Sequence, residues 1–213
     1  ALRRALAGVV RARDLVWRTL GRFAEPAVGL IPPGMLGHDP GRRSHPLDRD
    51  QALLELRAAK VEAPIRLRVA VHPLFQDRYG ALFTAISTIW SDLGVNVEIA
   101  TSSMAEFLQS DQHNDGFDLR VGRWNADYDD PDNFTHTLFH SHTGLWRKWF
   151  SSAEADQILE EARSESRPGV RETLYRKFEG LLAESDALVP LFHDIDYRLA
   201  SPKVHGLRLR GTA

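Results

Sequence analysis

The stretch IRLRVAVHPLFQDRYGALFTAISTIWSDLGVNVEI, residues 65–99, decides the fold. Ile65, Leu67, Val69 and Val71 alternate with Arg66, Arg68 and Ala70, the period of a half-buried strand. Phe75, Tyr79, Leu82, Phe83, Ile86, Ile89, Trp90 and Leu93 then recur at helical spacing, and Gly94 stands where a helix C-terminal glycine belongs. Val95, Val97 and Ile99 alternate again. Strand, helix and strand in this order predict two parallel strands joined by a crossover.

Outward from this unit the pattern continues. Met104–Gln109 reads as a short helix leading to a third strand, Phe117, Leu119 and Val121. Ser151 and Glu154 form a capping-box pattern before a helix carrying Ile158, Leu159 and Ala162. Pro168 opens another, with Val170, Leu174, Phe178, Leu181 and Leu182 on its apolar side. Val189, Leu191, Ile195, Tyr197 and Leu199 read as a strand, and Val204, Leu207 and Leu209 as a last short one. Upstream, residues 2–20 predict a single helix with an irregular apolar stripe. Residues 21–46 carry too many glycines and prolines for a helix or a sheet and read as a long loop. Asp48 then caps a helix running to about Ala59. The sum is one α/β domain, a mixed sheet flanked by helices.

Composition narrows the function. Of 213 residues, 27 are basic and 29 acidic, a net charge of −2 that does not fit a dedicated nucleic-acid binder. The arginines at 3, 4, 11, 13 and 18 therefore read as a solvated helix face. With no cysteine, disulfides, Cys-ligated zinc, iron–sulfur clusters and thiol nucleophiles are excluded. No run of about 18 apolar residues predicts a membrane-spanning helix. Leu2 already lies inside an amphipathic pattern, so the chain reads as a piece of something longer. No G-x-S-x-G, Walker glycine loop, G-x-G-x-x-G or H-E-x-x-H is present, and no enzyme activity or cofactor is expected.

The densest polar run is Trp124-Asn125-Ala126-Asp127-Tyr128-Asp129-Asp130-Pro131-Asp132-Asn133-Phe134, directly after the third predicted strand. In open α/β sheets that edge is where ligands bind. A calcium loop counted from Asp127 fails, because its fifth position is Pro131 and its twelfth Leu138. Paired carboxylates could serve glycoside hydrolysis, but their spacing in sequence does not fix their separation in space. Asp130 and Asp132 read as caps of a helix opening near Pro131. Asp127 precedes the cap and neighbours Trp124 and Tyr128, which suits a small cationic group held by charge and by aromatic faces. His136, His140 and His142 are spaced as metal ligands can be, but read first as surface or capping histidines, and no metal site is expected. His193, on the inward register of its predicted strand, reads as a hydrogen-bonded core histidine.

These pieces resemble the bacterial extracellular solute-binding proteins of the peptide and nickel importer class, family 5. Ala5-Leu6, Leu15-Val16, Gly21, Ala24, Pro26, Ala27 and Ile31-Pro32-Pro33-Gly34 are similar to the helix and proline-rich loop that open the family's C-terminal lobe. Trp90, Leu93-Gly94-Val95 and Val97 resemble its helix–strand joint. Phe117-Asp118, Trp124 and Ala126 to Phe134 resemble its best-marked stretch. Asp156, Ala162, Arg171, Leu174-Tyr175, Glu179, Leu182, Val189-Pro190-Leu191, Pro202, Val204 and Gly206 resemble its closing helices and strands.

The resemblance implies a periplasmic-binding-protein-like (type II) C-terminal lobe over residues 1–213, with the loop 21–46 inside it and the N-terminal lobe absent. It implies a non-enzymatic protein, periplasmic or extracellular, with a membrane-anchored lipoprotein among the forms the family allows, that holds a ligand between two closing lobes. Its partners would be a peptide or other small solute, the missing lobe and the membrane permease of an ABC importer, with no nucleic acid. Peptide-binding members hold the ligand's ammonium with the aspartate matching Asp127. The implied pocket is lined by Trp124 and Tyr128, with Arg123, Asn125 and His72 at its edge. Arg11-Ala12 replaces the usual Asp-Arg, and Arg123 replaces a glycine, setting a long cation where it can neutralise Asp127 or narrow the pocket. His72-Pro73-Leu74 stands where dipeptide-binding members have an arginine. Two other implications are a nickel chelate held through His140 or His142, and a sensor module built on the same lobe.

Overall fold

Residues 1–101, 103–112 and 116–208 are described by the structure, a computed structural model. The stretch that decides the fold takes the predicted form. β2 (Ile65–Val71) and β3 (Val95–Ile99) are parallel, with Ile65 opposite Val95 and Val69 opposite Ile99. Between them α4 (Gly80–Ser91) buries Leu82, Phe83, Ile86 and Trp90. Gly94 turns the chain at φ +79°, and a Cβ there would come within 2.6 Å of the Ala63 Cβ. Both facts select glycine. β4 (Leu119–Val121) joins the other side of β2, also parallel, giving the order β3-β2-β4. The third predicted strand is thus real, and the helix before it, α5, spans Met104–Gln112.

The predicted helix 2–20 is two helices, α1 (Leu2–Gly8) and α2 (Ala12–Thr19). In one continuous helix Val10 and Leu15 would lie off the face carrying Ala5, Val9 and Val16. The break between Val9 and Arg11 lets all five be buried. α3 (Arg49–Ala58) opens on the expected Asp48, which accepts from the Gln51 N–H while the Gln51 side chain answers. These three helices and α4 enclose one core with β2, pinned by the Trp90 indole donating to the Leu6 carbonyl at 3.0 Å.

A second core is helical. α6 (His136–Phe139), α7 (Ala153–Ser164) and α8 (Pro168–Glu184) surround Leu138, Phe139, Phe150, Leu159, Tyr175 and Phe178. The cap of α7 is Ser152, which accepts from the Ala155 N–H; the expected Ser151 instead bonds Ser141. Ile31 of the proline-rich loop is fully buried in this core. The buried Glu179 of α8 holds that loop by accepting from the Leu30 and Ile31 amides at 2.5 and 2.9 Å, and pairs with Arg42 at 3.3 Å.

Two expectations at the chain's edges change. The predicted loop 21–46 contains a strand, β1 (Ala24–Pro26), antiparallel to β5 (Phe192–Asp194). The predicted strand Val189–Leu199 shrinks to those three residues because β1 offers no longer partner, and Leu199 stands 94% exposed. Val204 and Leu207 form no strand, and Leu209 lies outside the described residues. Parallel and antiparallel pairing are therefore both present, in separate sheets, within an α/β architecture. Among the described residues no helix is long and apolar enough to cross a membrane.

Candidate functional site

The loops leaving β2 and β4 start side by side, because the His72 N–H donates to the Val121 carbonyl at 2.8 Å. Both lie at the carboxyl ends of parallel strands. The loop after β4 is the polar run, and its shape is set from below by Asn133. This residue is 1% exposed and ends a 3-10 turn, Pro131–Asn133. Its Oδ1 accepts from the Trp124 indole at 2.8 Å and from the Asp127 N–H at 3.4 Å. One carboxamide oxygen thus fixes two of the candidate residues relative to each other.

The carboxylates divide as their positions suggest. Asp130 caps the 3-10 turn, accepting from the Asp132 N–H at 2.8 Å, and both its oxygens take guanidinium hydrogen bonds from Arg171 of α8 at 2.8 Å. Burial pushes its carboxyl up, but the Arg171 fork outweighs this and holds it below the usual carboxylate range. Asp132 sits inside the turn rather than at its cap. It accepts from the Tyr128 hydroxyl at 2.9 Å and pairs with Arg163 at 3.3 Å. Asp127 and Asp129 are different: their exposed side chains have no hydrogen bond or ion pair among the described residues, and of the two it is Asp127 whose backbone N–H is held by Asn133, beside Trp124.

The remaining candidates fall around Asp127. Tyr128 is 45% exposed and anchored at its hydroxyl, which leaves a fixed ring face toward solvent. Trp124 is half-buried, edge-on to Trp146 at 6.2 Å. Arg123 makes no ion pair with Asp127; it donates to the exposed Asn125 Oδ1 at 2.5 Å and lies 3.9 Å from Asp194. The Tyr79 hydroxyl also donates to Asp194, at 2.8 and 3.0 Å, and burial followed by that carboxylate raises its pKa. His72 is buried. Its Nδ1 accepts from the Leu74 N–H at 3.1 Å, and its ring meets Phe107 edge-on. Burial, then Arg123 and Arg120, lowers its pKa, so it is a neutral wall near Arg123. Asn133, Arg171, Tyr79 and Asp194 are the supporting residues that sequence reasoning missed. Asn133 stood inside the polar run, Arg171 among the residues of the family resemblance and Tyr79 in the helical pattern, but nothing along the chain linked them or Asp194 to the site, because they come from distant elements.

The surface or capping reading holds for His142, which is exposed, and for His140, which is the C-cap residue of α6, but His136 and His140 are not on the surface. His136 and His140 are each 8% exposed and their rings stack at 4.4 Å, while His142 is exposed. His193, expected as a hydrogen-bonded core histidine, is only half-buried and lacks the expected hydrogen bond at one nitrogen. Its Nε2 is buried without a partner, and burial, then His38, pushes its pKa down to about 4.

An α/β lobe with its polar loops gathered at the carboxyl ends of parallel strands, and helices behind them, has the architecture of a type II periplasmic-binding-protein lobe. Comparison with known proteins identifies the family. Residues 1–145 match the family described as bacterial extracellular solute-binding proteins, family 5 Middle. The chain belongs to that family. It is similar to the periplasmic oligopeptide-binding protein OppA of Escherichia coli strain K12, 30% identical over 131 residues, 61% of this chain and 24% of OppA. It is also similar to the di/tripeptide-binding protein 2 of Pseudomonas aeruginosa strain UCBPP-PA14, 25% identical over 98% of this chain and 40% of that protein. The chain thus spans well under half the length of these relatives. Among solved structures, the Helicobacter pylori periplasmic binding protein DppA in complex with the peptide STSA shares the fold with a TM-score of 0.77 at 22% identity. The match covers 90% of this chain and 38% of DppA. The Escherichia coli murein tripeptide binding protein MppA aligns with a TM-score of 0.75 at 22% identity, over 91% of this chain and 39% of MppA.

Proposed function

We propose that residues 1–213 form the C-terminal lobe of a two-lobed solute-binding protein, periplasmic or extracellular, that delivers peptides to the permease of an ABC importer. In this reading the ligand lies between this lobe and an N-terminal lobe, and no catalysis takes place. Asp127 receives the ligand's ammonium. The Tyr128 ring and the exposed part of Trp124 line the pocket, with Arg123, Asn125 and His72 at its rim. The observation that carries the reading is the open Asp127 carboxylate beside an anchored aromatic face. Its neighbours Asp130 and Asp132 are engaged in holding the loop, so Asp127 is available for a partner from outside. An ion pair closed off from water by a second lobe is worth more than an exposed one. The peptide-binding relatives support the same ligand class.

Two experiments test it. Mass spectrometry of what co-purifies with the full-length protein should find a ladder of short peptides, and a metal chelate instead would overturn the peptide reading. Asp127→Ala in that protein should weaken free-amine peptides by about tenfold or more, in line with loss of a charge-assisted hydrogen bond, and N-acetylated peptides far less. Equal loss for both would remove the ammonium role.

A further inference from the structure

We propose that His136, His140 and Glu160 form a binding site for one divalent transition-metal ion, with Zn2+ the favoured occupant. This site is separate from Asp127 and goes beyond the peptide-binding reading. His136 opens α6, His140 follows its end one turn later, and Glu160 projects from α7. The Glu160 Oε1 lies 3.1 Å from His136 Nε2 and 3.3 Å from His140 Nε2. One donor atom from each of the three residues falls within 4.8 Å of the others. Tetrahedral zinc with bonds of about 2.0–2.1 Å needs donors about 3.3–3.4 Å apart. Both edges to Glu160 sit close to that spacing, and the third, between the two histidines, lies within 4.8 Å and closes as the ion draws the rings together.

The chemistry of the set selects the ion. Two imidazoles and one carboxylate suit zinc and its borderline neighbours, whereas calcium and magnesium prefer all-oxygen shells. The two rings are held in place by burial and by each other, and Glu160 is more than half exposed, which gives the ion a way in. The surroundings can adjust. His140 Nδ1 lies 3.0 Å from the Thr143 hydroxyl, which can accept a ring proton and leave Nε2 for the metal. That shift gives up only the longer contacts from the His142 and Thr143 amides, at 3.3 and 3.4 Å. Arg163 now donates to His136 Nε2 at 3.1 Å, the lone pair a metal would use. Arg163 keeps a second partner when it leaves the ring, since its Nε already lies 3.3 Å from Asp132 Oδ1, a buried oxygen with no hydrogen bond.

The test is calorimetric titration of Zn2+ into the purified full chain near pH 7.5, where metal competes well with protons for imidazole. The expected result is saturable binding of one ion per chain. Glu160→Gln, an exposed change that keeps side-chain shape, should weaken it by about tenfold or more, and His136→Gln likewise. His142→Ala should leave it unchanged. Far-UV circular dichroism checks that each variant is folded, and Co2+ bound to the unaltered chain should give the intense visible bands of a four-coordinate site. No saturable binding, binding that survives both Glu160→Gln and His136→Gln, or binding lost in His142→Ala would overturn the site.

Discussion

Asn133 shows how a single buried side chain can prepare a site it does not enter. Its Oδ1 receives both the Trp124 indole and the Asp127 amide. Buried donors left without an acceptor are costly, so these two are held where Asn133 is held. His193 shows the reverse, a half-buried ring whose buried Nε2 has no partner and weakens the fold. In the unfolded chain its imidazole takes a proton near pH 6.5, but in the folded protein burial defers this to about pH 4. Between those values the unfolded state binds more protons, so lowering the pH through this window removes stability. His193→Phe should flatten that part of the profile. Thermal midpoints of the two proteins, measured from neutral pH down to about pH 4, should converge at the high end and separate at the low end. Parallel profiles would contradict the buried neutral imidazole.

At the scale of elements, α8 organises both halves of the functional side. Arg171 grips Asp130 and so fixes the turn beneath the polar loop. Two helical turns further on, Glu179 grips the proline-rich segment through the Leu30 and Ile31 amides and Arg42. Burial raises the Glu179 carboxyl pKa, against the pull of those amides and of Arg42, so its charge is held at some expense of stability. Removing the acceptor is worse still, since two amides and a guanidinium lose their partner together. Glu179→Ala should destabilise the chain by about 3 kcal/mol, read from the urea midpoint. Limited proteolysis should then cut first within residues 30–47. An unchanged midpoint would mean that the segment is held by Ile31 packing alone.

For the whole molecule, the proposed split site has a direct consequence. The chain has two hydrophobic cores of its own, one around β2 and α4 and one among α6, α7 and α8. It should therefore fold without a second lobe. Binding is another matter, because half of the contacts and their pre-organisation are missing. Calorimetry with a peptide that binds the full-length protein tightly should show at least about a hundredfold weaker binding to residues 1–213 alone, a loss of about 3 kcal/mol or more. Comparable affinity would sink the two-lobe model while leaving the fold untouched.

What depends on neighbours along the chain was legible before any folding was considered. Period-2 alternation placed β2 and β3, helical spacing placed α4 and α8, and Asp48 and Pro168 marked two helix starts. The polar run was marked too, because four carboxylates so close together stand out in any α/β chain. Whatever depends on partners was settled by how distant segments pack. β1 was invisible as three residues in a proline-rich stretch, and it exists because β5 lies against it. Alternation from Val189 to Leu199 looked like a strand, but only Phe192–Asp194 found a partner. The same reason separates the carboxylates: Arg171 and Arg163, from two different helices, engage Asp130 and Asp132 and leave Asp127 and Asp129 open. It also separates the histidines, since Glu160 reaches His136 and His140 from α7 and no spacing along the chain announces it. Local conformation follows from covalent geometry and periodicity, whereas ion pairs and strand pairs are settled only when distant segments pack.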